Sequence, residues 1–265
     1  MEQEFAKYIR TKELIYKYAK GMRDIIGKEI HPYHELFFFL NGHAEFIWEH
    51  GKTVLKPYTL VIIPKEHFHQ FIVHGKESDY IRCLFNFENV SELNDLIDLK
   101  LKEISIFCEN KLADIFCKLN ELTLSSMQNF EKNILVKAYL AQLLVALPNT
   151  MQAEFENALI FHPITRNALL YINKNMKKAF TIADLSRELH VSASYLAHVF
   201  KSDLHISIHQ YILEKRLIAA NKEIRQTGNA MQAAKDCGFR DYSGFYKQYK
   251  KMFGISPSET KRLLD

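Results

Sequence analysis

The stretch CGFRDYSGFYKQYKKMFGISPSE, residues 237–259, sets a Gly-Phe turn ahead of a run that alternates aromatic side chains with lysines, and a second copy of it stands upstream. Residues 191–207 read VSASYLAHVFKSDLHIS. At an offset of 49 positions Ser194 falls on Ser243, Leu196 on Phe245, Phe200 on Tyr249, Lys201 on Lys250, Leu204 on Phe253, and Ile206-Ser207 on Ile255-Ser256.

Read as helices, both copies have two faces. Spacing of three and four residues groups Ser194, Ala197, His198 and Lys201 on one side, with Leu196, Val199 and Phe200 on another. The second copy has an apolar stripe of Tyr242, Phe245, Tyr249 and Met252 and a polar one of Ser243, Tyr246, Lys247 and Lys250. Ahead of each copy stands a short helical run with a small residue and a turn, Ser186 before His190-Val191 and Ala234 before Gly238-Phe239. A small residue lets two helices cross closely and the turn throws the second across the first, which is the helix-turn-helix unit.

One helix is expected between the two units, capped by Ser207 and ended by Gly228. About 18 residues at 1.5 Å each give about 27 Å, near the roughly 34 Å between successive major grooves on one side of B-DNA. Thr181 and Asp184 form a capping box that starts the first unit. The architecture expected for residues 163–265 is an all-α domain with two helix-turn-helix motifs.

These residues resemble the DNA-binding domain of the AraC/XylS family of bacterial transcription regulators. The resemblance runs over about a hundred residues and rests on Gly238-Phe239, Phe245, Tyr249-Lys250, Gly254 and Ser256-Pro257, with Tyr195-Leu196, Phe200-Lys201, Tyr211, Arg216 and Ala220 upstream. It implies double-stranded DNA as partner, with base contacts from Ser194, Ala197 and His198 in the first unit and from Ser243 and Lys247 in the second. Lys201, Lys250 and Lys251 would hold phosphates. His190 and His205 stand where the family usually has glycine, so left-handed backbone is expected there at some cost.

Charge agrees with a polyanion partner. From residue 163 onward 17 basic residues face 9 acidic ones, a balance of +8, leaving −4 for the rest of a chain whose net charge is +4. A local excess of Lys and Arg neutralises phosphates and releases counterions.

Residues 31–88 read differently. Short runs such as ELFFFL, AEFIW, TLVIIP, HQFIV and YIRCLFNF, separated by turns, predict a small sandwich or barrel. IHPYHELFFFLNG and KPYTLVIIPKEHFHQF resemble the two motifs of a cupin barrel, with His31, Glu35, Gly42, Pro64 and His69 in place and Tyr58 and Glu66 where glycines are common. A cupin-like effector-binding domain over residues 1–90 is the expectation, with His31, Glu35, Phe37, Phe39, His69 and Phe71 facing a small-molecule effector. Trp48 and Arg82 are weaker candidates. Two imidazoles and a carboxylate could hold Fe, Mn or Zn. Because Glu29 stands where metal-binding cupins commonly have another histidine, an organic-ligand pocket is preferred, and no metal or cofactor is assigned.

From Ser91 to about Leu147 the pattern turns helical, and FEKNILVKAYLAQLLVALP is apolar around most of its circumference until Pro148 stops it. Residues 91–162 are thus expected to be a helical linker that offers a homodimer interface, ending in a connection over residues 148–163. The whole is expected to be an α+β multidomain protein. The four cysteines are scattered and read as buried thiols.

No apolar run of about 18 residues suggests a membrane partner, and a soluble, cytoplasmic protein is expected. The resemblance implies a transcription regulator, an activator in the first instance, with RNA polymerase as a further partner. The rival from another class is a metal-dependent cupin enzyme fused to a DNA-binding domain. No nucleophile elbow or phosphate loop stands in the sequence, so a non-enzyme is expected.

Overall fold

The computed structural model describes residues 5–21, 28–75, 79–108, 110–148, 160–176, 178 and 180–262. The chain divides into two units, Met1–Leu159 and Ile160–Asp265. Most of the connection expected over residues 148–163 lies outside the described residues.

The first unit contains two antiparallel sheets. One has the order β1 (Phe5–Arg10), β2 (Leu14–Lys20), β9 (Ile81–Phe87), β4 (His34–Asn41), β7 (Thr59–Ile63), β10 (Ser105–Cys108). The other runs β3 (Lys28–Glu29), β8 (His69–His74), β5 (His43–Trp48), β6 (Gly51–Val54). Alternation along β4 sorts its side chains between two cores, as strand geometry requires. Phe37 and Phe39 pack with Ala44, Phe46, Trp48 and Phe71 between the sheets. Leu36 and Phe38 instead join Tyr16, Leu60, Ile62 and Phe85 in a core shared with helices. The helices are α1 (Asn94–Lys100), α2 (Ala113–Leu124) and α3 (Asn129–Ala146). The rings of Phe38 and Phe116 stack at 4.1 Å, joining β4 to α2.

Three expectations need correction here. The helical pattern after Ser91 is interrupted by β10, which pairs with β7 through Ile106 and Phe107 and belongs to the larger sheet. Residues 5–20, given no strands within the domain expected over residues 1–90, form the β1–β2 hairpin at the sheet edge. Of the cysteines, Cys83 and Cys237 are buried but Cys108 and Cys117 are exposed. Helix α3 buries Val136, Leu140, Leu143 and Leu144, while Phe130, Ile134 and Val145 on its other side are exposed. Among the described residues, no helix is long and apolar enough to cross a membrane.

The second unit is all helical: α4 (Pro163–Asn175), α5 (Ile182–Glu188), α6 (Ala193–Leu204), α7 (Ile208–Thr227), α8 (Ala230–Asp236), α9 (Tyr242–Phe253) and α10 (Pro257–Arg262). Thr181 and Asp184 form the expected capping box, and Ser207 caps α7 through Gln210 N. Helix α7 runs 20 residues to Gly228 at φ 70°, about 30 Å at 1.5 Å per residue.

Candidate nucleic-acid interface and inner cavity

The sequence repeat is a repeat of backbone geometry. In the first pair, α5–α6, the turn is closed by Val191 N–H donating to Ser186 O at 3.0 Å; in the second, α8–α9, Phe239 N–H donates to Ala234 O at 3.0 Å. Both turns pass through left-handed backbone, His190 at φ 55° and Gly238 at φ 78°. Both second helices also leave through it, at His205 with φ 53° and Gly254 with φ 73°. The expectation that His190 and His205 take over a glycine's conformation therefore holds at both positions.

The second helices start on different caps. Ser192 Oγ accepts from Tyr195 N at 3.2 Å, whereas Asp241 accepts from Ser243 N at 3.1 Å and Gly244 N at 2.6 Å. A carboxylate on free N–H groups at a helix start is the stronger cap. The second turn is one residue longer, which is why the helix before each turn repeats at 48 positions and the helix after it at 49.

Each second helix buries one face. Leu196, Val199, Phe200 and Leu204 are buried in α6, and Phe245 and Tyr249 in α9. Tyr242, expected in the buried stripe, is 37% exposed because it begins the helix beyond the core. The opposite faces carry the sequence candidates: Ser194, Ala197, His198 and Lys201 on α6, and Ser243, Lys247, Lys250 and Lys251 on α9, are all exposed.

Two side-chain networks, the first of them buried, tie the helix pairs to α7. Asn221 Nδ2 donates to Tyr249 Oη at 2.7 Å, and that hydroxyl lies 2.7 Å from Thr260 Oγ1. Arg216, also on α7, reaches both pairs: its guanidinium lies 5.0 Å over the Phe180 ring and donates to Lys178 O at 3.1 Å and Gly238 O at 3.3 Å. One side chain thus holds the approach to the first pair and the turn of the second. Sequence spacing marked Arg216 but gave no hint of this bridging role.

In the first unit a cavity of about 280 Å³ is lined by Glu35, Phe37 and Phe71 of the candidates, together with Tyr8, Arg10, Lys17, Glu29, Tyr33, Arg82 and Asn86. Phe39 does not line it and meets Tyr80 instead, at 5.9 Å between rings. Arg82 is buried, lies 4.7 Å over the Tyr80 ring and donates to Gly21 O at 2.8 Å. Trp48 is buried in the core between the sheets. Arg10, Lys17 and Tyr33 went unread as site residues, although the alternation along β1 and β2 was there to place the first two.

His31 and His69 flank the cavity with Glu35. His31 Nε2 is 3.5 Å from Glu35 Oε2, and His69 Nε2 is 3.9 Å from Glu29 Oε2. The two imidazoles meet edge to face at 4.9 Å. The Glu35 partner raises the pKa of His31, although burial opposes it, and the protonated imidazole in turn holds the Glu35 carboxyl below its ordinary range against the same burial. His69 has no exposed surface, and burial pushes it down to about 4. Burial and the nearby Glu35 charge push Glu29 up to about 6.

The family described as "Helix-turn-helix domain" matches residues 185–263, from within α5 to just beyond α10. The chain is 34% identical over 89 residues to the probable transcriptional regulator LumQ of Photobacterium leiognathi, covering 33% of this chain and 36% of that protein. It is 27% identical over 150 residues to the lactose operon transcription activator of Staphylococcus xylosus, with 56% and 53% covered. A solved transcriptional regulator with an AraC-type DNA-binding domain, from Chromobacterium violaceum, is 27% identical over 38% of this chain and 92% of its own, at a TM-score of 0.35. The matched part spans about a third to a half of the length of these curated relatives.

Proposed function

We propose that this chain, which carries an AraC-type helix-turn-helix domain in its second unit, is a sequence-specific DNA-binding transcription regulator that answers to a small molecule. The observation that carries the reading is the duplicated pair. Two helices with buried apolar backs present polar and cationic fronts, and both meet the helix between them, α6 through the Phe200–Tyr211 ring contact and α9 through the Tyr249–Asn221 hydrogen bond. Such fronts suit the major groove, where short polar side chains meet base edges and lysines meet phosphates. Ser194, Ala197 and His198 on α6 and Ser243 and Lys247 on α9 take the base-facing role, with Lys201, Lys250 and Lys251 on the backbone. The two helices enter successive major grooves.

The first unit is the sensor. Residues 1–90 make up most of the cupin-like effector domain, residues 91–162 return β10 to its larger sheet and add the helices α1 to α3, and residues 163–265 are the DNA-binding domain. The effector sits against Glu35, Phe37 and Phe71, with His31 and His69 beside them and Phe39 behind the wall, and shifts a population of states. The exposed Phe130, Ile134 and Val145 of α3 supply a homodimer face. The relatives' names, a lactose operon activator among them, favour activation, with RNA polymerase as a partner, over catalysis.

Lys247→Ala tests the reading. Lys247 is exposed, so the fold should survive while specific binding weakens about tenfold or more. Unchanged affinity and base preference in a footprinting titration would remove α9 from the interface.

A further inference from the structure

The cavity of the first unit has a floor laid out by register across four strands. Arg10 of β1 stands opposite Ile15 of β2, Ile15 opposite Asn86 of β9, and Asn86 opposite Glu35 of β4. Two residues away on each strand, Tyr8, Lys17, Leu84 and Phe37 form a second row in the same way. Both rows line the cavity, because alternation sends every second side chain of a strand to one face.

Each row is graded from edge to centre. Tyr8 and Arg10, on the edge strand, are exposed, whereas Glu35 and Phe37, three strand spacings or about 14 Å away, are buried. The mouth is cationic, with Arg10 and with Lys17, whose Nζ lies 5.5 Å from the centre of the Tyr8 ring. The inner end has an apolar wall where Phe37 stacks on Phe71 at 3.9 Å.

Charge at the inner end is already matched. Glu35 has His31 as counter-ion at 3.5 Å, and the buried Arg82 favours the charged form of Glu29. Arg10, Lys17, Arg82 and His31 against Glu29 and Glu35 leave a surplus of two positive charges, which falls at the mouth. The inner end lacks a hydrogen-bond donor instead. Asn86 Oδ1 is buried without a partner among the described residues, a cost that a native structure ordinarily avoids. A ligand hydroxyl would meet it, whereas a ligand ammonium there would meet the charges of His31 and Arg82 as well.

From this arrangement we infer that the cavity takes a small polyhydroxylated anion, a sugar acid or sugar phosphate, with its acidic group between Arg10 and Lys17 and its hydroxyls toward Asn86 and Glu35. The guanidinium fork suits a carboxylate and a phosphate alike. A volume of about 280 Å³ lies just under the range of about 300–1,000 Å³ that drug-sized ligands take, so the occupant is of monosaccharide size. Arg10, Lys17 and Asn86 lie outside both barrel motifs, and the selectivity is therefore this chain's own. The inference rests on the reading of the first unit as a sensor and names the class of its effector.

The test titrates the full chain calorimetrically with glucuronate, glucose 6-phosphate, glucose, glucosamine and hexanoate. One of the two sugar anions should bind at least about tenfold more tightly than the other three probes, and which of them leads identifies the acidic group. Arg10→Gln, on the exposed edge strand, should lower the affinity of that anion about tenfold and leave glucose unchanged. Asn86→Leu should bring the sugar anion and hexanoate to similar affinities. Glucose, glucosamine or hexanoate binding as well as both sugar anions, or no binding by any probe, would overturn the class. Affinity for a DNA fragment that the chain selects from a random pool separates this outcome from the sensor reading. A sugar anion that binds without changing DNA affinity keeps the class and sinks the sensor; glucose that binds and changes DNA affinity does the reverse.

Discussion

Tyr249→Phe removes one oxygen atom from the core of the second helix pair, and the structure sets what that should cost. Thr260 Oγ1 already donates to Ser256 O at 3.2 Å, so its remaining role toward Tyr249 is as acceptor. Proton order then runs one way: Asn221 Nδ2 donates to the Tyr249 hydroxyl, which donates to Thr260, which donates to the Ser256 carbonyl. In the phenylalanine variant Thr260 keeps its own donation and loses only an incoming one. Asn221, 6% exposed, keeps a donor in a site closed to water, and such an orphan costs about 1–3 kcal/mol. The expected loss is about 2 kcal/mol, or roughly 8–16 °C in the midpoint of a domain of about a hundred residues. Far-UV circular dichroism during urea unfolding reads it, because all seven regular elements of the described second unit are helices. Asn221→Leu combined with Tyr249→Phe removes both partners and should recover part of the loss, giving a coupling above about 1 kcal/mol in the double-mutant cycle. A loss below about 0.5 kcal/mol, or additive single effects, would mean that α9 is not anchored through this chain of hydroxyls.

Two further outcomes follow from single residues. Glu13 joins the β1–β2 turn to α3 through Lys137 and accepts from Ser91 N at 2.9 Å, and these partners hold its carboxyl down to about 2. A folded pKa below the unfolded value means stability present above about pH 4.5 and lost as pH falls through 2; solvent screening keeps it near 1 kcal/mol. Glu13→Gln should therefore destabilise the first unit by about 1 kcal/mol at pH 7 and by much less near pH 2, read from Trp48 fluorescence in urea, and an equal penalty at both pH values would exclude the ion pair as its source. His190→Gly and His205→Gly each place glycine on left-handed backbone that histidine occupies at a cost. Each should raise stability by about 0.5–1 kcal/mol in thermal unfolding, and a loss at either position would show that the imidazole contributes more than its backbone strain.

The sequence was most legible where structure is written as spacing. Helix caps, turn residues and the two-faced periodicity of α6 and α9 are local properties, and they placed the eight interface candidates on exposed surface. The same reading expected left-handed backbone at His190 and His205, which stand at φ 55° and 53°, and Tyr58 and Glu66, noted only as standing where glycines are common, take it too, at φ 64° and 69°. A position that needs left-handed backbone keeps that need whatever residue fills it, because the turn is fixed by the hydrogen bonds on either side. β10 was missed for the opposite reason. Four residues between helices carry too little periodicity to stand out, and their strand exists because the exposed edge of β7 accepts them.

The four-residue cluster shows most clearly what local reading cannot reach. His31, Glu35 and His69 were singled out, but Glu29 was taken as the departure that argued against a metal. Its place is set by the pairing of β3 with β8, a contact across 40 positions of sequence. Only that register brings the carboxylate beside His69 and into the wall of the cavity. A substitution that looks like the loss of a group along the chain can therefore be the gain of a charged one in the fold. Carboxylate for imidazole adds negative charge beside Glu35, and burial together with that neighbouring charge pushes Glu29 up to about 6. Glu29→Gln removes one of the two carboxylates that raise the His31 pKa, so His31 should titrate at lower pH in the variant by NMR; an unchanged His31 would separate Glu29 from the pair.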